Sequence, residues 1–220
     1  NGDVGYHGRS EKDRLNMTGT THGSIECING QWYVFYHRLT HKSDYSRQAC
    51  AEPITILPDG SIPQVEITSC GLNGKPLHGT GTYPAVIACN ITNGHMPHGS
   101  NKIYTDSFPN ATHCGEDRFI GEIQDGTMLG YKYFAFSGAK EIGVQYRGSC
   151  NGKFVVSDDM DGKNIVAEIP VAPADAWTES RAPLHISDGT HPLYLFYRGD
   201  GEAAVKELYL ACLLYTSDAA

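Results

Sequence analysis

Residues 21–53 read THGSIECINGQWYVFYHRLTHKSDYSRQACAEP. Asn29-Gly30 separates Ser24-Ile25-Glu26-Cys27 from Gln31-Trp32-Tyr33-Val34-Phe35-Tyr36-His37. Asn-Gly between two β-rich runs is the strongest short hairpin signal, because both residues tolerate positive φ. Working outward, Pro53-Ile54-Thr55-Ile56-Leu57 runs into Pro58-Asp59-Gly60, and Ser61 to Thr68 reads as a returning strand. Four short antiparallel strands in about 45 residues match the length of one propeller blade. A blade covers its faces only by stacking on neighbouring blades, and the pattern has no second copy in the chain. The sequence opens on Asn1-Gly2-Asp3, with neither an initiator Met nor a signal-peptide apolar segment, and so reads as the back end of something longer.

Composition narrows the function classes. The 220 residues allow one or two domains, and 25 Gly, 11 Pro and 13 Tyr fit an all-β chain rich in turns. No window of ten or more residues keeps helical apolar spacing, and no apolar run reaches membrane length. The formal net charge is −8 with no basic stripe, so nucleic acid and anionic membrane are poor partners and a neutral substrate such as a glycan fits. No H-E-x-x-H, G-x-S-x-G, phosphate loop, dinucleotide fingerprint or C-x-x-C occurs, which leaves no support for an organic cofactor or a zinc ribbon. Six cysteines, Cys27, Cys50, Cys70, Cys89, Cys114 and Cys150, are widely spaced. Their spacing suits buried thiols or a few disulfides equally.

Beyond the first unit, residues 70–81 are rich in turn formers and mark a linker. Strands are expected over 85–90, 118–123, 127–136, 141–147, 153–157, 164–169, 192–198 and 204–210, with turns at Gln124-Asp125-Gly126, Asp161-Gly162 and Gly199-Asp200-Gly201. Short alternating strands with recurring turns predict a β-sandwich or jelly roll. Ser157 to Glu168 approaches a calcium-binding loop, but position 1 is Ser157 and no helices flank it, so a hairpin turn is expected. Residues 212–220, CLLYTSDAA, look like a translated sequencing adapter and are set aside as a non-native tail.

The ordered run His22-Gly23-Ser24, Asn29 to Arg38 and Ser46-Arg47-Gln48-Ala49-Cys50 resembles the final blade of the five-bladed propeller of glycoside hydrolase family 43. That family contains β-xylosidases and α-L-arabinofuranosidases. The resemblance covers residues 1–67 and implies an inverting hydrolysis, in which one carboxylic acid protonates the leaving oxygen and a carboxylate across the ring activates water. In the family those carboxylates come from earlier blades, so no catalytic residue is expected in this chain. Asp3, Glu11, Asp13, Glu26, Asp44 and Glu52 fall outside the acid and base motifs and read as solvated surface carboxylates. Two residues carry over. His22 matches a channel histidine beneath the sugar that helps hold a calcium ion, usually through water. Arg47 matches an arginine near the substrate pocket, where a planar fork of donors suits sugar hydroxyls and a neighbouring carboxylate.

Residues 123–132, the turn at Asp161-Gly162-Lys163, Trp177, residues 191–199 and Glu207-Leu208-Tyr209-Leu210 are similar to carbohydrate-binding module family 6. The second unit, residues 68–211 with its linker, is therefore expected to be such a sandwich. The resemblance places Trp177 where family members stack a sugar ring, and Glu207 where an acidic residue helps hold calcium. Ser180 stands where a second Trp is common, and Val205 about where an anchoring Asn belongs. Two readings of this unit stay open, a structural sandwich packed on the propeller and a weak glycan binder. Together the resemblances imply part of a hydrolase releasing xylose or arabinose from plant cell-wall xylan or arabinoxylan, extracellular or cell-surface, with a cytoplasmic place as the alternative. The rival class is a non-catalytic carbohydrate-binding β-protein.

Overall fold

The computed structural model describes residues 3–20, 22–99 and 103–212; the expected tail lies, apart from Cys212, outside them. The Asn29-Gly30 hairpin forms as predicted. Strand β1 (Gly23–Ile28) pairs antiparallel with β2 (Gln31–Thr40), with Ile28 opposite Gln31 and Gly23 opposite Tyr36. Asn29 and Gly30 take φ of 50° and 82°, the two positive values of a type I′ turn. β2 turns at His41-Lys42 into β3 (Ser43–Ile54), completing a three-stranded sheet in the order β1-β2-β3.

The expected fourth strand does not form; residues 61–68 are irregular. Their backbone donors find side chains and other strands instead of a ladder. Ile67 N donates to Asp3 Oδ1 at 3.1 Å, Thr68 N to Glu52 Oε1 at 2.7 Å, and Ser69 N to the Lys132 carbonyl at 2.5 Å. Pro63 has no N–H to offer a neighbour.

The rest of the chain makes two six-stranded sheets. In chain order the strands are β4 (Leu77–His78), β5 (Gly81–Pro84), β6 (Asn90–Thr92), β7 (Asn110–Cys114), β8 (Asp117–Ile123) and β9 (Met128–Phe136). They continue with β10 (Glu141–Gly148), β11 (Asn151–Ser157), β12 (Ile165–Val171), β13 (Ala174–Pro183), β14 (Gly189–Asp200) and β15 (Ala203–Ala211). One sheet runs β13-β10-β15-β8-β7 with β5 also on β15; the other runs β12-β11-β14-β9-β4 with β6 also on β9. Between them lies one apolar core, where Tyr131, Phe134, Phe154, Ile120, Ile142 and Leu195 are fully buried. The strand expected over 85–90 is instead a 3-10 turn at Ala85–Ile87 followed by β6. Its carbonyls serve side chains: Tyr131 donates to Ala85 O at 3.2 Å, and Arg38 donates to Val86 O. The Ser157–Glu168 segment is a hairpin turn, as expected, with the Asp159 carboxylate accepting from Lys163 N and Asn164 N.

Polar groups join the three-stranded sheet to the sandwich. Arg38, buried, donates to the carbonyls of Val86 and Ala88 and to Gln48 Oε1. Lys132, on β9 and fully buried, pairs with Asp3 at 3.4 Å and Glu66 at 2.8 Å, so one ammonium ties the N-terminal segment and the irregular 61–68 stretch to the sandwich. Burial alone would lower the Lys132 ammonium, but Cys89, Asp3 and Glu66 outweigh it and hold it above the ordinary lysine range.

Candidate functional site

Hairpin register brings the two carried-over residues to one face. Side chains alternate along a strand, and His37, Leu39 and Arg47 share a face because Arg47 sits opposite Leu39. His22 lies one residue before Gly23, the partner of Tyr36, which sets it across from His37. Their rings stack with centroids 5.6 Å apart. Arg47 and His22 are both exposed, and Arg47 donates a 3.4 Å bond to the Asp44 carbonyl. Burial first, then the Arg47 charge and the His22 ring, pull His37 below the usual histidine range, so it is neutral at pH 7. Thr20 Oγ1 lies 3.5 Å from His37 Nε2. The face thus offers two imidazoles and a guanidinium to solvent, a set that can accept from and donate to hydroxyls.

His37 is a residue that motif reading passes over. Its signal was present: a two-residue loop at 29–30 fixes which residues face each other, and that register puts His37 opposite His22. The contact of His41 Nε2 with His113 Nδ1, at 2.5 Å, had no such signal, since 72 residues separate them along the chain.

Of the six acidic residues expected on a solvated surface, Glu11, Asp13 and Glu26 are exposed, whereas the other three depart from that expectation. Asp3, Asp44 and Glu52 are 5%, 0% and 2% exposed. Asp3 is enclosed because Lys132, Asn90 and Ile67 N all bond it. Asp44 sits against Gly99, where a Cβ would collide with its carboxylate. Glu52 accepts from Thr68 N, Thr68 Oγ1 and Tyr36 OH at 2.7, 2.6 and 3.0 Å. Burial nonetheless dominates and lifts its carboxyl to about 7. Glu52 lines a cavity of about 270 Å3 between the sheet and the linker, on the face opposite His22 and Arg47.

In the sandwich, Trp177 lies on edge strand β13 and is half-buried. Its Nε1 donates to Asp117 Oδ2 at 2.8 Å, and the Arg147 guanidinium lies 4.4 Å from its ring centroid. Lys206 sits 5.7 Å from the same ring and donates to Asp117 Oδ1 at 2.6 Å. Those two bonds, the Lys206 one first, hold the Asp117 carboxyl below its usual range. The indole is thus already in contact with two cations. Ser180 Oγ donates to the Pro170 carbonyl at 2.5 Å, and Val205 is fully buried, so it presents no amide to a ligand.

Glu207 accepts from Tyr209 OH at 2.7 Å and faces Gln145 and Pro84 across β15. Among the described residues no group of three or more His, Cys, Asp or Glu gathers in an arrangement able to hold a metal ion. Calcium requires six to eight oxygen ligands. Of that set His22 and Glu207 would each supply one contact, His22 through water.

With this geometry in place, relatives can be compared. No family model matches the chain. It is 44% identical over 205 residues to a xylosidase/arabinosidase of Thermoclostridium stercorarium, across 87% of this chain and 42% of that protein. It thus spans less than half the length of the curated relative it matches. A glycoside hydrolase family 43 arabinoxylan arabinofuranohydrolase from Bacillus subtilis superposes with a TM-score of 0.54 at 16% identity, over 87% of this chain and 41% of that one. A family 6 carbohydrate-binding module from Clostridium cellulolyticum, solved with xylose, matches with a TM-score of 0.51 at 15% identity, over 61% of this chain and 98% of its own. The likenesses to solved structures carry the fold alone, a family 6-type sandwich in the larger part of the chain, and the sequence identity makes the chain similar to the xylosidase/arabinosidase over less than half of that protein's length.

Proposed function

We propose that this chain is the closing part of an inverting glycoside hydrolase that releases xylose or arabinose from xylan or arabinoxylan. In this reading residues 1–67 are the last blade of a five-bladed propeller, and residues 68–211 are the appended module. The observation that carries it is the shared face of His22, His37 and Arg47: two imidazoles and one fork of donors beside each other can hold the hydroxyls of a neutral pentose. The exposed apolar side chains Ile25, Ile28 and Trp32 on β1 and the start of β2 support a blade that stacks on another. Neither acid nor base is assigned here, because Asp44 and Glu52 are enclosed and Glu52 faces away from the His22 side. General acid and base would come from parts of the protein beyond this chain.

Within the sandwich, Trp177 ranks second as a sugar contact, since a stacking ring must displace Arg147. The full-length protein should hydrolyse 4-nitrophenyl β-D-xyloside or 4-nitrophenyl α-L-arabinofuranoside, and Arg47→Ala should lower kcat/KM by at least about tenfold, the value of one charge-assisted contact. Hydrolysis of neither glycoside, with this chain still retarded by xylan in affinity electrophoresis, would favour the non-catalytic carbohydrate-binding protein instead.

A further inference from the structure

The His41–His113 contact opens onto a cavity of about 490 Å3 between the β2–β3 turn and the sandwich, within the about 300–1,000 Å3 range of small-molecule sites. Its polar lining includes Arg47, Arg118, His41, His113, Gln48 and Thr112, with no Asp or Glu side chain. In a chain of net charge −8, that is a local reversal of sign. The parts are placed by backbone pairing. Arg118 lies directly across from His113 on β8 and β7, and the turn is fixed by His41 N donating to the Ala111 carbonyl at 2.9 Å. The Arg118 side chain is exposed and makes no hydrogen bond or ion pair with a described residue. Arg47 spends one donor on the 3.4 Å bond to Asp44 O. The nearby carboxylate of Glu122 lines a neighbouring cavity and is taken by Lys42 at 2.7 Å. Two guanidinium groups therefore face a solvent-filled space with most of their donors unspent.

From this arrangement we infer that the cavity binds the carboxylate of an acidic sugar, a hexuronate substituent on the glycan. The inference rests on the proposed glycosidase reading, because Arg47 also belongs to the His22 face: a pentose on that face and an acidic branch in this cavity would share one guanidinium. Arginine forks pair with carboxylates through two parallel hydrogen bonds, and the ring hydroxyls of a hexuronate have Gln48 and Thr112 as partners. Burial, then His113, hold His41 below its usual histidine range, so the pair is not two repelling cations before the anion arrives. Once it arrives, a second proton has a counter-charge.

The test is calorimetric titration of this chain with sodium D-glucuronate, methyl β-D-xyloside, sodium acetate and inorganic phosphate at low salt. Arg118→Gln and His113→Gln are run beside it, with melting curves to confirm folding. Saturable glucuronate binding is expected, weakened about tenfold by Arg118→Gln and by added salt, with acetate and phosphate at least tenfold weaker. No glucuronate binding overturns the inference, as does equal binding in both variants or equal binding of acetate or phosphate. The two proposals fail separately. Loss of glucuronate binding leaves nitrophenyl glycoside hydrolysis by the full-length protein untouched, and absence of hydrolysis leaves an acidic-sugar site on a non-catalytic protein.

Discussion

In the sandwich, Tyr131, Phe134, Phe154 and Leu195 are fully buried in one continuous core, whereas all six residues of β1 in the three-stranded sheet are exposed. Each large apolar side chain removed from water contributes about 1.5–3 kcal/mol, so the sandwich has its own driving force. The three-stranded sheet adds Leu39 to a small cluster with Met17, Met96, Tyr104 and Phe108. Besides the buried Tyr33, Ala51 and Ile54, it is held by buried polar contacts, Arg38 on the Val86 and Ala88 carbonyls and Glu52 under Thr68. A net hydrogen bond contributes only about 0.5–1.5 kcal/mol. One region carries its own core while the other borrows order from its neighbours.

The largest expected effect comes from the group that ties both regions. Lys132→Met leaves Asp3 and Glu66 without their cation, and removing one partner of a buried pair costs about 3–5 kcal/mol. At roughly 2–4 °C per kcal/mol for a chain of this size, calorimetry should show a melting temperature lower by about 6–20 °C. A drop of a degree or two would mean that the N-terminal segment and the 61–68 stretch are not anchored there. Next, Arg38→Met strands the Ala88 carbonyl and leaves Val86 O with Gln48 Nε2 alone, at about 1–3 kcal/mol. Hydrogen exchange should then show β1, β2 and β3 losing protection while β9, β11 and β14 keep theirs. Uniform loss across both regions would break the comparison.

How much of this was legible follows the same divide. Asn29-Gly30 fixed a hairpin register that carries His22 onto His37, because a two-residue turn leaves no freedom. The strands expected over 127–136 and 141–147 form: Ile142, Val144 and Tyr146 alternate along β10, whereas β9 is buried from Met128 to Lys132 and is legible as a continuous apolar and aromatic run. β13, with Ala, Glu, Pro183 and few β-branched residues, was missed: an edge strand borrows its pairing from β10 and needs little propensity of its own. The residues 61–68 misread as a strand had strand-like composition but gave their donors to Asp3 and Glu52, contacts made 64 and 16 residues away. The burial of Asp44 and the His41–His113 contact were illegible for the same reason, since no local pattern encodes a long-range meeting of polar groups.

Glu52 offers a pH test of the borrowed region. Its carboxyl sits at about 7 against an ordinary 4.5, raised by burial despite the Thr68 and Tyr36 donors. A carboxyl whose folded pKa lies above its unfolded one keeps its proton in the folded chain after the unfolded chain has lost it. Folding is therefore favoured most below about 4.5; that stability is lost as pH rises to about 7 and stays lost above it. The loss should be of order 1–3 kcal/mol, and Glu52→Gln should flatten this part of the pH profile of the melting temperature. An unchanged slope would place the titrating group elsewhere.

The smallest effect tests whether the sandwich could do more than support the sheet. Arg147 lies 4.4 Å from the Trp177 centroid and 5.3 Å from that of Phe119. Exposed cation–π contacts contribute about 0.5–1 kcal/mol, so Arg147→Ala should lower the melting temperature by only about 1–4 °C. The same change frees the indole, which Asp117 still orients through Nε1. If the ring is a covered sugar platform, xylan should retard Arg147→Ala more than the parent chain, and adding Trp177→Ala should erase the gain. Equal retardation of all three would make Trp177 a packing residue and leave glycan contact to the His22 face, because a platform uncovered without effect was never one.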